Sequence, residues 1–274
     1  MKKLVLMMLA GLFMMSCASK QNAEQQAEEP AAKKVLVLYF SITNTTKQMA
    51  EYIQQKTGAD MEAIELENAY STVYDEIIKR SGEEREGNVL PELKSLKANL
   101  ADYDIIFLGY PLWFGTYAQP IKTLLASGVL NGKTVVPFCT SGSSGIKQSA
   151  TDLKQAVQGI QMPECVGVRS SLMNKMPAAV DRVLISLGLI EGQNEALADY
   201  SAQQAPTAEE TEIFNAAIST YPMMNGTTAV SVGSRTTSLG TDYKFVGEAN
   251  GAKMDVYVTK ENSGAAPYFT AVDR

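Results

Sequence analysis

The stretch from Val35 to Ala50, VLVLYFSITNTTKQMA, constrains the fold more than any other part of the chain. An unbroken apolar run, Val35 to Phe40, leaves no face for water, which fits a strand buried on both sides. Hydroxyl residues follow at Ser41, Thr43, Thr45 and Thr46, and then a helical pattern begins. The first turn of a helix presents unpaired N–H groups and the positive end of its dipole, so anions bind there. No lysine or arginine lies inside the loop, and Lys47 comes after it. A phosphate held by hydroxyls and amides without a salt bridge suggests a bound monoester rather than a transferred phosphoryl group. A polar βα turn with a good N-cap fits the same loop chemistry about as well.

Composition excludes several chemistries. The chain has no histidine, which removes His-based triads, His–metal sites and a His general base. Chemistry must come from a cofactor or from carboxylates, hydroxyls, tyrosines and lysines. The net charge is −6 and no basic cluster is present, so no nucleic-acid partner is expected. At 274 residues and 45% hydrophobic, the chain can bury one large or two small domains.

The N-terminus reads as an export signal, residues 1–17. Lys2 and Lys3 precede an apolar run from Leu4 to Met15 that is too short for a permanent membrane span. Ser16-Cys17 resembles the lipobox of bacterial lipoproteins, with Met14 where leucine is usual. The resemblance implies cleavage before Cys17 and lipidation of its thiol and new amino terminus. An ordinary cleaved signal and an uncleaved anchor are the alternatives. Ala18 in place of aspartate would direct a Gram-negative lipoprotein to the outer membrane. Residues 18–33, rich in Gln, Glu and Ala, read as a solvated spacer. The expectation is a cell-envelope protein held to a membrane by an N-terminal lipid.

From Lys34 strands and helices alternate. Helix follows the first loop to about Thr57, where Gly58 stops it. Further strands are expected at Met61–Leu66, Asp104–Gly109, Lys133–Thr140 and Cys165–Arg169. Helices are expected near Thr72–Ser81, Pro91–Leu100, Gln119–Ser127, after Gly145 to about Gln158, and at Ala178–Leu187, with a charged loop at Glu83–Asn88. That is an α/β fold with a doubly wound parallel sheet over residues 34–189. Ligands in such sheets bind outside the carboxyl ends of the strands, where the first, third and fourth strands carry unusual loops. Cys139 and Cys165 are expected at opposite edges of the sheet, as two buried, unpaired thiols. Residues 190–222 form a linker and a helix opened by the capping box Thr207–Glu210. Residues 223–274 change to short alternating runs, with Asn250-Gly251 as a hairpin signal, and read as a small antiparallel β module.

The third strand is followed by Tyr110-Pro111-Leu112-Trp113-Phe114-Gly115-Thr116-Tyr117, which contains the only tryptophan. Aromatics at a loop tip suit a flat ligand that stacks, although a loop folded onto its own hydrophobic residues is the other reading. The fourth strand leads into Thr140-Ser141-Gly142-Ser143-Ser144-Gly145, which offers amide donors and close backbone approach. A phosphate loop, a stacking loop and an amide-rich loop together describe a phosphorylated planar heterocycle.

With these loops, residues 34–189 resemble the flavodoxin-like family, in the branch with Tyr-Pro-x-Trp-x-Gly and Phe-x-Thr-Ser-Gly loops. The first loop matches Ser-x-Thr-Gly-x-Thr at Ser41, Thr43 and Thr46, with Asn44 where glycine is usual; asparagine is the next residue most tolerant of a left-handed backbone. The resemblance implies FMN as cofactor. Its phosphate would sit on Ser41, Ile42, Thr43, Asn44, Thr45 and Thr46. Its ring would lie between Pro111, Leu112, Trp113, Phe114 and Gly115 on one side and Thr140, Ser141, Gly142, Ser143 and Gly145 on the other. The Phe114–Gly115 peptide is then the candidate partner of flavin N5, since glycine permits the backbone to flip. Flavodoxins often carry a tyrosine in the third loop to cover the other ring face, and this loop has none. The implied function is electron transfer through bound FMN to a partner protein or small-molecule acceptor. An FMN-dependent NAD(P)H:quinone-type oxidoreductase and a non-catalytic flavodoxin-fold binding module are the alternatives.

Overall fold

The computed structural model describes residues 33–273; the signal sequence, Cys17 and the spacer up to residue 32 lie outside the described residues. In chain order the α/β part consists of β1 (Val35–Tyr39), α1 (Thr45–Thr57), β2 (Asp60–Ala63), α2 (Tyr74–Glu86), β3 (Ile105–Trp113), β4 (Thr116–Tyr117), α3 (Gln119–Ala126), β5 (Val135–Ser141), α4 (Lys147–Ala156), β6 (Val166–Arg169) and α5 (Met176–Ser186). Five parallel strands lie in the order β2-β1-β3-β5-β6, and β4 pairs back on the end of β3. The direction of winding reverses between β1 and β3, so the crevice for a ligand opens there.

The apolar run of β1 is buried throughout because its two faces enter two cores. Leu36 and Leu38 join Ile106, Leu108 and Tyr110 under Ile121 and Leu124 of α3 and Leu153 of α4. Val35, Val37 and Tyr39 join Phe107, Val136 and Phe138 under Met49, Ala50 and Ile53 of α1 and Val180, Val183 and Leu184 of α5. Each such fully buried aliphatic side chain contributes about 1.5–3 kcal/mol. Gly58 ends α1 in the left-handed conformation, with φ 68°.

The crossover between β2 and β3 departs from the expectation. α2 runs on through Glu86, so the supposed charged loop at Glu83–Asn88 is largely its last turn. Glu84 explains the extension: it is buried, accepts the Tyr70 hydroxyl, and pairs with Arg80 one turn earlier at 2.8 Å. The helix expected at Pro91–Leu100 is absent; only a 3₁₀ turn forms at Leu100–Asp102. Leu93 instead bridges Leu66 antiparallel, and the Glu62 carboxylate accepts the N–H groups of Lys97 and Ala98 at 2.7 and 2.8 Å. These tertiary hydrogen bonds outweigh a weak helical pattern. β2 itself stops at Ala63, short of the expected Leu66.

The cysteines also require a correction. β5 continues two residues beyond Cys139, and Cys139 stands opposite Gly167, so Cys165, just before β6, lies near Cys139 rather than at the opposite edge of the sheet. Both are free; Cys139 is buried and Cys165 half-buried. Burial pushes both thiols up, which leaves them protonated and unreactive.

The C-terminal part opens with α6 (Ala208–Ile218), where the Thr207–Glu210 capping box is formed. β7 (Thr228–Thr237), β8 (Gly240–Ala249), β9 (Ala252–Glu261) and β10 (Tyr268–Asp273) form an antiparallel meander in the order β10-β9-β8-β7. Asn250 and Gly251, with φ 51° and 78°, make the tight β8–β9 turn. One face of the meander packs Val232, Phe245, Val256, Val258 and Phe269 against Ile213 and Phe214 of α6. The linker before α6 is held at two points: Gln204 and Val232 exchange backbone hydrogen bonds, and Ser201 donates to the Ser234 carbonyl. It thereby covers the outer edge of β7. The other face of the meander, with Arg235, Tyr257 and Tyr268, borders a cleft of about 900 Å³ against β6 and α5. Lys175 joins Glu261 across this junction at 2.5 Å, and Tyr268 also donates to Glu261.

Candidate cofactor-binding site

The first loop connects β1 to α1. Asn44 sits in the left-handed region, with φ 63° and ψ −2°, and its side chain caps nothing. Asparagine tolerates this conformation better than other residues with a Cβ. The plain N-cap explanation of the loop therefore fails at the residue that should provide the cap. Ser41 Oγ accepts the Lys47 N–H at 3.3 Å, but the N–H groups of Thr43, Asn44, Thr45 and Thr46 have no acceptor among the described residues. These consecutive donors at a helix N-terminus, with the Thr43 and Thr45 hydroxyls beside them, form a cradle for an anion. Ile42 is turned back against the core. Thr46 is only 2% exposed, and its hydroxyl pairs with that of Thr140 at 2.7 Å. This bond ties the first loop to the third.

The second segment is more ordered than a loop. β3 continues through Tyr110, Pro111, Leu112 and Trp113, then turns at Phe114-Gly115 into β4. Both turn residues have positive φ, 51° and 83°, the requirement of a type I′ hairpin. Glycine meets it freely, but a phenylalanine there costs about 1–2 kcal/mol. Phe114 is nonetheless 46% exposed, with its ring beside Gly82 of α2 and the Arg85 guanidinium 5.1 Å away. Strain at an exposed aromatic tip is the kind retained at binding sites. Trp113 stands edge-on to Tyr70 at 5.1 Å and to Phe40 at 5.8 Å, so it is a half-buried wall braced from behind. The self-packing reading of this segment holds for Trp113, while Phe114 is left exposed at the turn. Burial, and then the hydrogen bond to Glu84, pushes the Tyr70 hydroxyl far up, so the brace stays neutral.

In the third segment Thr140 and Ser141 are the last residues of β5, both buried. Thr140 is directly opposite Pro111 on β3. Ser141 Oγ donates to the Ser144 carbonyl at 2.6 Å and closes the turn. A Cβ on Gly142 would meet nothing within 4 Å, so the main chain there is bare to an approaching ligand. Ser143 and Gly145 are otherwise engaged: the Ser143 carbonyl accepts from Val272, and the Gly145 N–H donates to the Val272 carbonyl.

The predicted residues 41–46, 111–115 and 140–142 therefore line the carboxyl ends of the adjacent strands β1, β3 and β5. Ser143 and Gly145 face the C-terminal sheet with their backbone. Phe40, Tyr70 and Arg169 escaped sequence reasoning. Arg169 carried a visible signal, a charge ending an apolar strand, whereas Tyr70 lies in a crossover with no pattern to mark it. Among the described residues no group of His, Cys, Asp or Glu side chains could hold a metal ion. The donor set suits an organic phosphate: free amides for the anion, aromatic rings and bare main chain for a flat ring.

A protein described as a flavoprotein from Bacteroides eggerthii is 32% identical over 54% of this chain and 98% of its own, with a TM-score of 0.45. One from Bacteroides uniformis is 29% identical over 55% of this chain and 99% of its own, with a TM-score of 0.49. A flavoprotein from Lactobacillus acidophilus, solved in complex with FMN, is 26% identical over 54% of this chain and 99% of its own, with a TM-score of 0.44. A family model described as Flavodoxin matches residues 34–181, just over half of the sequence and the whole of the three-loop site. The chain belongs to the flavodoxin family.

Proposed function

We propose that this protein is an FMN-binding electron-transfer protein of the cell envelope, tethered to the membrane through lipidated Cys17. The observation that carries the flavin reading is the run of acceptor-free amides from Thr43 to Thr46, placed beside the aromatic wall at Trp113 and the bare main chain at Gly142. FMN supplies reversible one- and two-electron chemistry when bound. Ser41 to Thr46 bind its phosphate, and Trp113 with Phe114 bounds its ring. The Phe114–Gly115 peptide, at a turn where a Cβ on the glycine would meet nothing within 4 Å, would be the group to hydrogen-bond the ring. Thr140 to Gly142 offer the third side.

Electron transfer without an obligatory proton donor fits a chain with no histidine. The N-terminal sequence supports export and lipid anchoring, and the electron partner is a protein or a small acceptor outside the cytoplasm. Anaerobic addition of NADH or NADPH to the FMN-loaded protein tests the carrier assignment. The expected result is no bleaching of the flavin absorption within minutes, with rapid bleaching by dithionite. Rapid bleaching by either nucleotide would make the protein a reductase instead.

A further inference from the structure

Residues beyond 181 lie outside the family match, yet strand β10 of that region is joined to the third loop of the site. The Val272 N–H donates to the Ser143 carbonyl at 2.8 Å, and the Gly145 N–H donates to the Val272 carbonyl at 3.3 Å. Together they make a parallel bridge between Ser144 and Val272. The approach depends on glycine: a Cβ at Gly145 would lie 2.5 Å from an Asp273 carboxylate oxygen and 3.2 Å from Ala271 Cβ.

Arg169, at the end of β6, makes the second tie. Its Nε donates to the Gly142 carbonyl at 3.0 Å, and its Nη1 to the Phe269 carbonyl at 2.9 Å. The guanidinium lies 3.5 Å over the Phe269 ring and 5.3 Å from that of Tyr221. It is 6% exposed and forms no salt bridge among the described residues. A buried guanidinium without a carboxylate is costly. What it achieves here is geometric: a rigid planar fork orients one carbonyl of the third loop and one of β10 at the same time. Lysine, a point charge on a flexible stem, cannot do both and stack as well.

We infer that the C-terminal sheet is a working part of the flavin site. Through Val272 and the positioning residue Arg169 it fixes the 140–145 segment, and so sets the affinity for FMN and the potential at which the flavin is reduced. The inference rests on the reading that this segment lies against FMN. It gives the C-terminal sheet a function in the site: β10 is bonded to Ser143, one residue from the bare main chain at Gly142.

The test uses the full chain carrying Arg169→Lys or Val272→Pro. The N–H of Val272 points at the loop, so proline there removes the loop bond at a sheet edge, where proline is tolerated. In both variants the dissociation constant of FMN is expected to rise about tenfold. The two-electron midpoint potential is expected to move by about 30 mV, the equivalent of a tenfold difference between oxidised and reduced affinities. Glu261→Gln, which cuts the Lys175 tie elsewhere in the same junction, serves as control: it should lower the melting temperature and leave the potential in place. If Val272→Pro does not fold, Arg169→Lys decides by the same readouts. Folded variants with wild-type affinity and potential overturn the inference while a yellow wild type upholds the flavin reading. A folded wild type that takes up no FMN overturns both.

Discussion

Replacing Trp113 by alanine is expected to weaken FMN binding by about 1–3 kcal/mol, the usual loss when an aromatic stacking platform is removed. At 1.4 kcal/mol per factor of ten, that is roughly a five- to 150-fold rise in the dissociation constant. The same change removes the ring that Phe40 and Tyr70 brace edge-on. Stability should fall by about 2 kcal/mol, less than for a fully buried tryptophan because the ring is half-exposed. Trp113→Phe keeps an aromatic face and should recover most of both losses. Fluorescence titration with FMN and urea denaturation of the apoprotein separate the two effects. Full affinity in a folded Trp113→Ala protein would place the flavin ring elsewhere.

The largest loss of stability is expected from Gly109→Ala. Gly109 stands in register with Phe138 on the neighbouring strand, and a Cβ there would sit 2.1 Å from a carbon of the Phe138 ring. That ring is fully buried between the sheet and the helices on its α1 and α5 side, so it has nowhere to retreat. Overpacking of this kind costs about 3 kcal/mol. Because Gly109 lies in β3 just before the second segment of the site, FMN binding should weaken alongside. Combined with Phe138→Ala, the two changes should cost less than the sum of the single ones, since the added Cβ then no longer meets the ring. A single variant with an unchanged urea midpoint would contradict the β3–β5 register.

Much of the α/β frame could be read from the chain because burial on both faces of a parallel sheet leaves continuous apolar runs, as at Val35–Phe40, with turn chemistry between them. The left-handed position at Asn44 and the hairpin at Asn250-Gly251 were legible for the same local reason: few residues tolerate positive φ. What was lost depends on contacts distant in sequence. The helical spacing after Pro91 gave no hint that Glu62, far upstream, would take the N–H groups of Lys97 and Ala98. Nor could the charged stretch at Glu83–Asn88 show that Glu84 would be drawn inward by Tyr70 and Arg80. Register between strands is likewise invisible to periodicity, and it is the register that sets Cys139 opposite Gly167, near Cys165.

The site divides along the same line. Its loops announced themselves by composition, since hydroxyls, aromatics and glycines gather where strands end. The supports behind the loops, Phe40 and Tyr70 behind Trp113 and Arg169 behind Gly142, are joined only in three dimensions.

Titration of the apoprotein with FMN and, separately, with riboflavin tests the central claim most directly. If the amides of Thr43 to Thr46 hold the phosphate, FMN fluorescence is quenched with saturable binding. Riboflavin, lacking charge-assisted hydrogen bonds each contributing about 1.5–3 kcal/mol, should bind about a hundredfold more weakly or worse. Failure of the folded apoprotein to bind FMN, or equal affinity for the two compounds, would contradict the account.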